Sequence, residues 1–105
     1  MNDVSSNDAL GIFNNWRDSK TLLDIHLTAT SLLDLSALAI VASTSSHGLE
    51  LELALRTEPD SLRINMPADA KFNTLDLAVL DESLGMQVEV LMGDMRILLS
   101  EVRST

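Results

Sequence analysis

The chain has 105 residues, enough for one modest core, and its 46 % hydrophobic content is too high for a disordered segment. Sixteen acidic residues against seven basic ones give a net charge of −9, which opposes nucleic-acid phosphates and anionic membranes and favours basic partners. The absence of cysteine excludes disulfides, thiolate metal sites and thiol nucleophiles, while 3 % aromatic residues with no tyrosine leave few platforms for stacked bases.

Residues 1–5 are polar and predict a frayed tail. The opening Met-Asn-Asp-Val-Ser-Ser-Asn-Asp has neither a basic start nor an apolar run, so no signal peptide is expected. Ser5 followed by Asp8 resembles a capping box. Leu10, Phe13 and Trp16 then recur at intervals of three, predicting a short amphipathic helix over 6–19 with Asn14, Arg17 and Asp18 on its wet side. Gly11 weakens that helix, and a helix this short needs tertiary packing, so Phe13 and Trp16 are read as its anchors on the sheet.

Leu23, Ile25, Leu27 and Ala29 alternate with Asp24, His26, Thr28 and Thr30, a clear strand. Residues 31–43 read either way: Ser31 and Asp34 suit a helix start, whereas Ile40, Val41 and the Ser-Thr-Ser-Ser-His-Gly cluster suit a strand over 35–44 ending in a turn. The apolar stretch 32–42 is about half the length a membrane helix needs and carries Asp34, so it belongs to the core. The firmest signal is residues 48–56, where Leu49, Leu51, Leu53 and Leu55 alternate with Glu50, Glu52, Ala54 and Arg56. A one-residue slip would turn all four leucines to water, which fixes the register.

Thr-Glu-Pro-Asp-Ser at 57–61 is a turn. Leu62, Ile64 and Met66 make a short strand stopped by Pro67, and Leu75, Leu77 and Val79 predict another, broken at Asp81-Glu-Ser83. Met86, Val88, Val90 and Met92 alternate next. Gly93-Asp94, with glycine first, fits a type II′ hairpin turn into a final strand, Met95 to Val102. The chain is therefore expected to be one mainly β domain, a short N-terminal helix followed by an antiparallel six- to seven-stranded meander over 22–103. Burying its single apolar face requires curling into a small barrel or sandwich.

Catalytic or metal-binding patterns are sparse. His26 beside Asp24 and His47 in a serine-rich turn are isolated, without a third ligand at fixed spacing. Glu50, Glu52 and Glu89 share the outward phase and read as a solvated acidic face, since paired-carboxylate hydrolysis needs a deep cleft and one raised pKa. Asp76, Asp81 and Glu82 lack the ligand order of a calcium loop, and the serines at 43, 45 and 46 lie in no nucleophile elbow. Neither an enzyme nor a cofactor is expected.

The last hairpin is apolar on both faces. Leu98 and Val102 run out of phase with Met95, Ile97 and Leu99, and Leu91 faces away from Met92. A strand apolar on both sides has something packed on each. Leu91, Leu98 and Val102 are therefore the candidate interface of a homodimer or higher homo-oligomer. The expected role is a cytoplasmic, non-catalytic protein-binding or adaptor domain, with a basic protein as a possible partner; nucleic acid is disfavoured and no membrane contact is expected.

Several features resemble a group of small uncharacterised bacterial proteins. They are Trp16 near the end of the first helix, the strand at 38–43, Leu62-Arg-Ile-Asn-Met leading to Ala70-Lys-Phe72, and the hairpin Gly93-Asp-Met-Arg-Ile-Leu-Leu-Ser-Glu101. That group carries no assigned activity, so the resemblance implies the architecture and no site residues. The order of a helix and then strands over about residues 7–79 also resembles Sm-like barrels, which implies an alternative function in binding RNA or a small ligand. The basic and aromatic signatures of that RNA pocket have no counterpart here. In charge and size the chain is similar to acidic chaperones of secreted partners, a further alternative, without their C-terminal helix.

Overall fold

The computed structural model describes residues 2–29, 34–45, 50–55, 61–67, 69–76 and 84–102. In chain order the elements are β1 (Asn2–Val4), α1 (Ser6–Ser19), β2 (Leu23–Ala29), β3 (Asp34–Ser45), β4 (Glu50–Leu55), β5 (Ser61–Asn65), β6 (Lys71–Asp76), β7 (Leu84–Met92) and β8 (Met95–Val102). Among the described residues the fold is mainly β and antiparallel, with one short helix and eight strands where the sequence predicts six or seven. The strand order is β1-β6-β7-β8-β2-β3-β4-β5, an open sheet with β1 and β5 at its ends.

Two meanders are thus joined edge to edge. Strands β2 to β5 follow one another in space, as do β6 to β8, and β8 pairs with β2 along seven residues from Ala29↔Met95 to Leu23↔Glu101. The expected frayed tail is a strand instead: Asn2, Asp3 and Val4 pair with Thr74, Asn73 and Phe72 of β6. This pairing supplies three polar-flanked residues with backbone partners they could not find alone.

Alternation decides which side each strand buries. Leu51 and Leu53 of β4 and Leu23, Ile25 and Leu27 of β2 face the core, as do Val88 and Val90 of β7 and Ile97 and Leu99 of β8. The ambiguous stretch after residue 33 is strand. A register shift between Val41 and Ser43 leaves Ala42 exposed as an extra residue. The bulge reverses the phase, so Val41 points inward before it and Thr44, opposite Leu51, after it. Strand β6 begins earlier than the sequence suggests and in another phase, with Phe72 buried and Leu75 only half-buried; Leu77 and Val79 lie outside the described residues. Gly93 has φ +59° while Asp94 has no positive φ, as a type II′ turn requires.

Helix α1 lies on the concave face, packed chiefly on β3 and more lightly on β6. Ser5 caps it by accepting from the Asp8 amide at 3.1 Å. Lys20 closes it in the left-handed conformation, φ 52°, with its amide bonded back to Arg17 and Trp16. The buried positions are Ala9, Phe13 and Trp16, an i, i+4, i+7 stripe in which Ala9 takes the place expected for Leu10. The Phe13 ring sits 5.8 Å from Trp16 and 6.5 Å, edge-on, from Phe72. Asn14 and Arg17, expected on the wet side, are half-buried: Arg17 Nη1 donates to Thr44 Oγ1 at 3.0 Å and Thr44 Oγ1 donates to Asn14 Oδ1.

Candidate interaction surface

The outer face of the sheet is ordered as rows that run across the strands. One row reads Asn73, Glu89, Leu98, His26, Ser36, from β6 through β7, β8 and β2 to β3. The next reads Lys71, Leu91, Arg96, Thr28. Leu98 is therefore flanked by Glu89 and His26, and Leu91 by Lys71 and Arg96. Both leucines are half-buried among polar neighbours.

Glu89 dominates that region. Although it points to the outer face, it is only 7 % exposed. Its Oε1 accepts from Asn73 Nδ2 at 2.9 Å and its Oε2 from Arg96 Nε at 2.5 Å. Burial pushes the carboxyl up, but the hydrogen bonds from Asn73 and Arg96, with the Arg96 charge, outweigh it and hold the group below its ordinary value. Glu50 and Glu52 do not join it, because β3, β2 and β8 stand between β4 and β7. They close instead on Arg63, whose Nε is 3.0 Å from Glu50 and whose Nη2 is 3.0 Å from Glu52. The Glu52 hydrogen bond first, then the two charges, raise the Arg63 guanidinium further, so it stays cationic.

Val102 belongs to a different row. Its amide donates to the Leu22 carbonyl at 2.9 Å, which places Leu22 beside it. The pairing of Asp24 with Leu38 sets Leu22 opposite Ile40 two residues on, and Ile40 faces Ala54. The row Val102, Leu22, Ile40, Ala54 is apolar across four strands, about 14 Å at ordinary strand spacing. Leu38 flanks it on β3. Val102 at 39 % and Leu38 at 36 % are the large hydrophobic residues most exposed among those described. Reading alternation along β8 found Val102 but missed this row, whose other members become neighbours only through the order β8-β2-β3-β4.

On the concave side, Trp16 and Glu101 meet at the mouth of a cleft. It has a volume of about 390 Å³ between α1 and the ends of β6, β7 and β8, and Asp8, Asp76 and Met86 also line it. Trp16 Nε1 donates to Glu101 Oε2 at 2.7 Å, and the Met86 amide donates to Glu101 Oε1 at 2.8 Å. The second bond answers a bulge: the β7–β8 register shifts between Leu84 and Gln87, leaving a Met86 amide without a ladder partner on β8. Glu101 is therefore a tie between helix and sheet. Among the described residues no group of three or more His, Asp or Glu side chains is placed to hold a metal ion, and no helix is long and apolar enough to cross a membrane. His26 is exposed on the outer face; His47, Asp81 and Glu82 lie outside the described residues.

No protein-family model, curated protein or solved structure matches the chain.

Proposed function

We propose that this chain is a non-catalytic protein-binding module that self-associates through the outer face of its sheet and engages a basic partner. The observation that carries the reading is the apolar row Val102, Leu22, Ile40 and Ala54, with Leu38 beside it, on a face otherwise given to charged and hydrogen-bonded side chains. Exposed apolar surface gathered in one place favours contact with another protein. The net charge of −9 gives the rest of the surface a pull on basic partners. Leu91 and Leu98, half-buried within the polar rows, serve as rim to that contact.

A row four strands wide supplies only part of the ~800 Å² per partner of a standard interface, so self-association is expected in the micromolar range. Sedimentation velocity from about 1 to 200 µM tests it. The wild-type chain should shift from monomer to dimer or higher oligomer, and Val102→Lys with Leu38→Lys should hold it monomeric while leaving its circular dichroism unchanged. A wild-type chain that sediments as a monomer throughout refutes self-association.

A further inference from the structure

A slot of about 440 Å³ on the concave side is lined by no residue of α1. Leu62 and Ile64 of β5 form one wall, Met92 and Met95 of the β7–β8 hairpin tip form the other, and Leu27 of β2 completes it. All five share the inward phase of the sheet. Leu62 stands opposite Leu53, Ile64 opposite Leu51 and Leu27 opposite Ile97, each of those partners being buried, and Met92 faces Met95 across the Gly93-Asp94 turn. Three strands, β2, β3 and β4, separate β8 from β5 in the sheet. Among the described residues the two walls are therefore not paired through their backbones, and what joins them is side chain alone.

The wall on the hairpin side is made of thioethers, which fill irregular gaps well but are open to oxidation where a reagent reaches the sulfur. Met92 and Met95 are half-buried, whereas Met66, just beyond β5, is 3 % exposed. Met86 is half-buried as well but borders the other cleft, beside Glu101. A sulfoxide on Met92 or Met95 would carry a strong hydrogen-bond acceptor into a lining of Leu27, Leu62 and Ile64, which have no donor to offer it. Arg63 and Asn65 also border the slot, but they stand in the outward phase of β5, and the Arg63 guanidinium is held by Glu50 and Glu52.

We propose that Met92 and Met95 are an oxidation-sensitive pair, and that their conversion to sulfoxides by a peroxide loosens the hairpin tip from β5. In each conversion an S–O bond forms and the peroxide O–O bond breaks. The second oxygen leaves as water with both protons of hydrogen peroxide; sulfur is oxidised by two electrons and the peroxide is reduced. Methionine sulfoxide reductases reverse the change, so the device can cycle. The inference stands apart from the protein-binding reading above, because the pair lies on the inward side of the sheet and the apolar row on the outward side.

The test treats the folded full chain with hydrogen peroxide and follows each methionine by peptide mass mapping. Met92 and Met95 should gain oxygen at least about tenfold faster than Met66. Once both are oxidised, the backbone amide resonances of residues 62–65 should shift, and the unfolding constant in urea should rise by about tenfold or more. Treatment with the two sulfoxide reductases, one for each epimer, should return both readings to their starting values. In Met92→Leu with Met95→Leu, peroxide should leave residues 62–65 and the urea midpoint unmoved while Met86 still oxidises. Should that variant not fold, Met86→Leu, which keeps the pair, should respond to peroxide as the wild type does. Oxidation of Met66 as fast as of the pair would overturn the proposal, as would a fully oxidised pair with residues 62–65 and the urea midpoint unchanged. A double-leucine variant that still loosens under peroxide would overturn it by placing the effect elsewhere.

Discussion

Replacing Glu101 by alanine should cost the fold about 2 kcal/mol. One carboxylate accepts two bonds, from the Trp16 indole at 2.7 Å and from the Met86 amide at 2.8 Å. Trp16 is 1 % exposed but borders the same cleft as Met86, so water reaches both donors in part once the carboxylate is removed. A buried donor left unsatisfied costs ~1–3 kcal/mol, and both donors, bordering the cleft, fall at the low end of that range. Glu101→Gln keeps one carbonyl acceptor but turns an NH₂ toward the other donor, so about half the loss should return. With a urea slope of about 1 kcal/mol/M for a domain of this size, the alanine variant should unfold about 2 M earlier. Trp16 is the sole tryptophan and reports the transition directly by its emission. A double-mutant cycle with Trp16→Phe, followed by circular dichroism, should give a coupling of about 1–2 kcal/mol. An alanine variant within about 0.5 kcal/mol of wild type, or a cycle that is simply additive, would refute the idea that Glu101 ties the helix to the β7–β8 bulge.

Gly11 lies in the exposed middle of α1 with nothing within 4 Å of where a Cβ would stand, so Gly11→Ala should stabilise by about 1 kcal/mol in urea denaturation. Lys20 holds a left-handed φ of 52° that glycine adopts without steric cost, and Lys20→Gly should gain about 0.5–1 kcal/mol by the same assay. Glu89 has its folded pKa depressed, so it favours the folded state above the unfolded value of about 4.3, and that contribution disappears as pH falls through the lower folded value. Stability measured from about pH 6 down to pH 3 should therefore decline, and Glu89→Gln should flatten the slope in that window. An unchanged slope would mean that the Asn73 and Arg96 bonds do not favour the ionised carboxyl.

The sequence made some elements legible and hid others for identifiable reasons. Leu51 and Leu53 against Glu50 and Glu52, and Leu23, Ile25 and Leu27 against Asp24 and His26, show strict alternation because each strand has one wet face, and the structure buries those residues. Strand β1 was hidden, since Asn2–Val4 contains a single apolar residue and owes its conformation to β6, nearly seventy positions later. The phase of β6 was obscured by the leucines after it, although Phe72 alone carries the burial. The bulges at Ala42 and near Met86 break the period of two, which is where pattern reading loses track of a face. Strand order is the larger loss. No local signal tells β6 to leave β5 and join β7, and the apolar row through Leu22, Ile40 and Ala54 exists only because β8 lies beside β2. The paired carboxylates of Glu50 and Glu52 were visible, but their capture by Arg63 depends on the register of β4 with β5.

The seam between β2 and β8 has a consequence for how the chain comes into being. Ile25 waits for Leu99, about 70 residues downstream, before its second neighbour exists, and separations of that length slow the search for the native state. During synthesis the β2–β5 hairpins can assemble while the flank of β2 remains bare, an apolar ribbon open to any passing strand until the last hairpin emerges. Holding nascent chains short of residue 95 should therefore leave a soluble-to-aggregated balance tipped toward aggregation, and releasing the final hairpin should restore it.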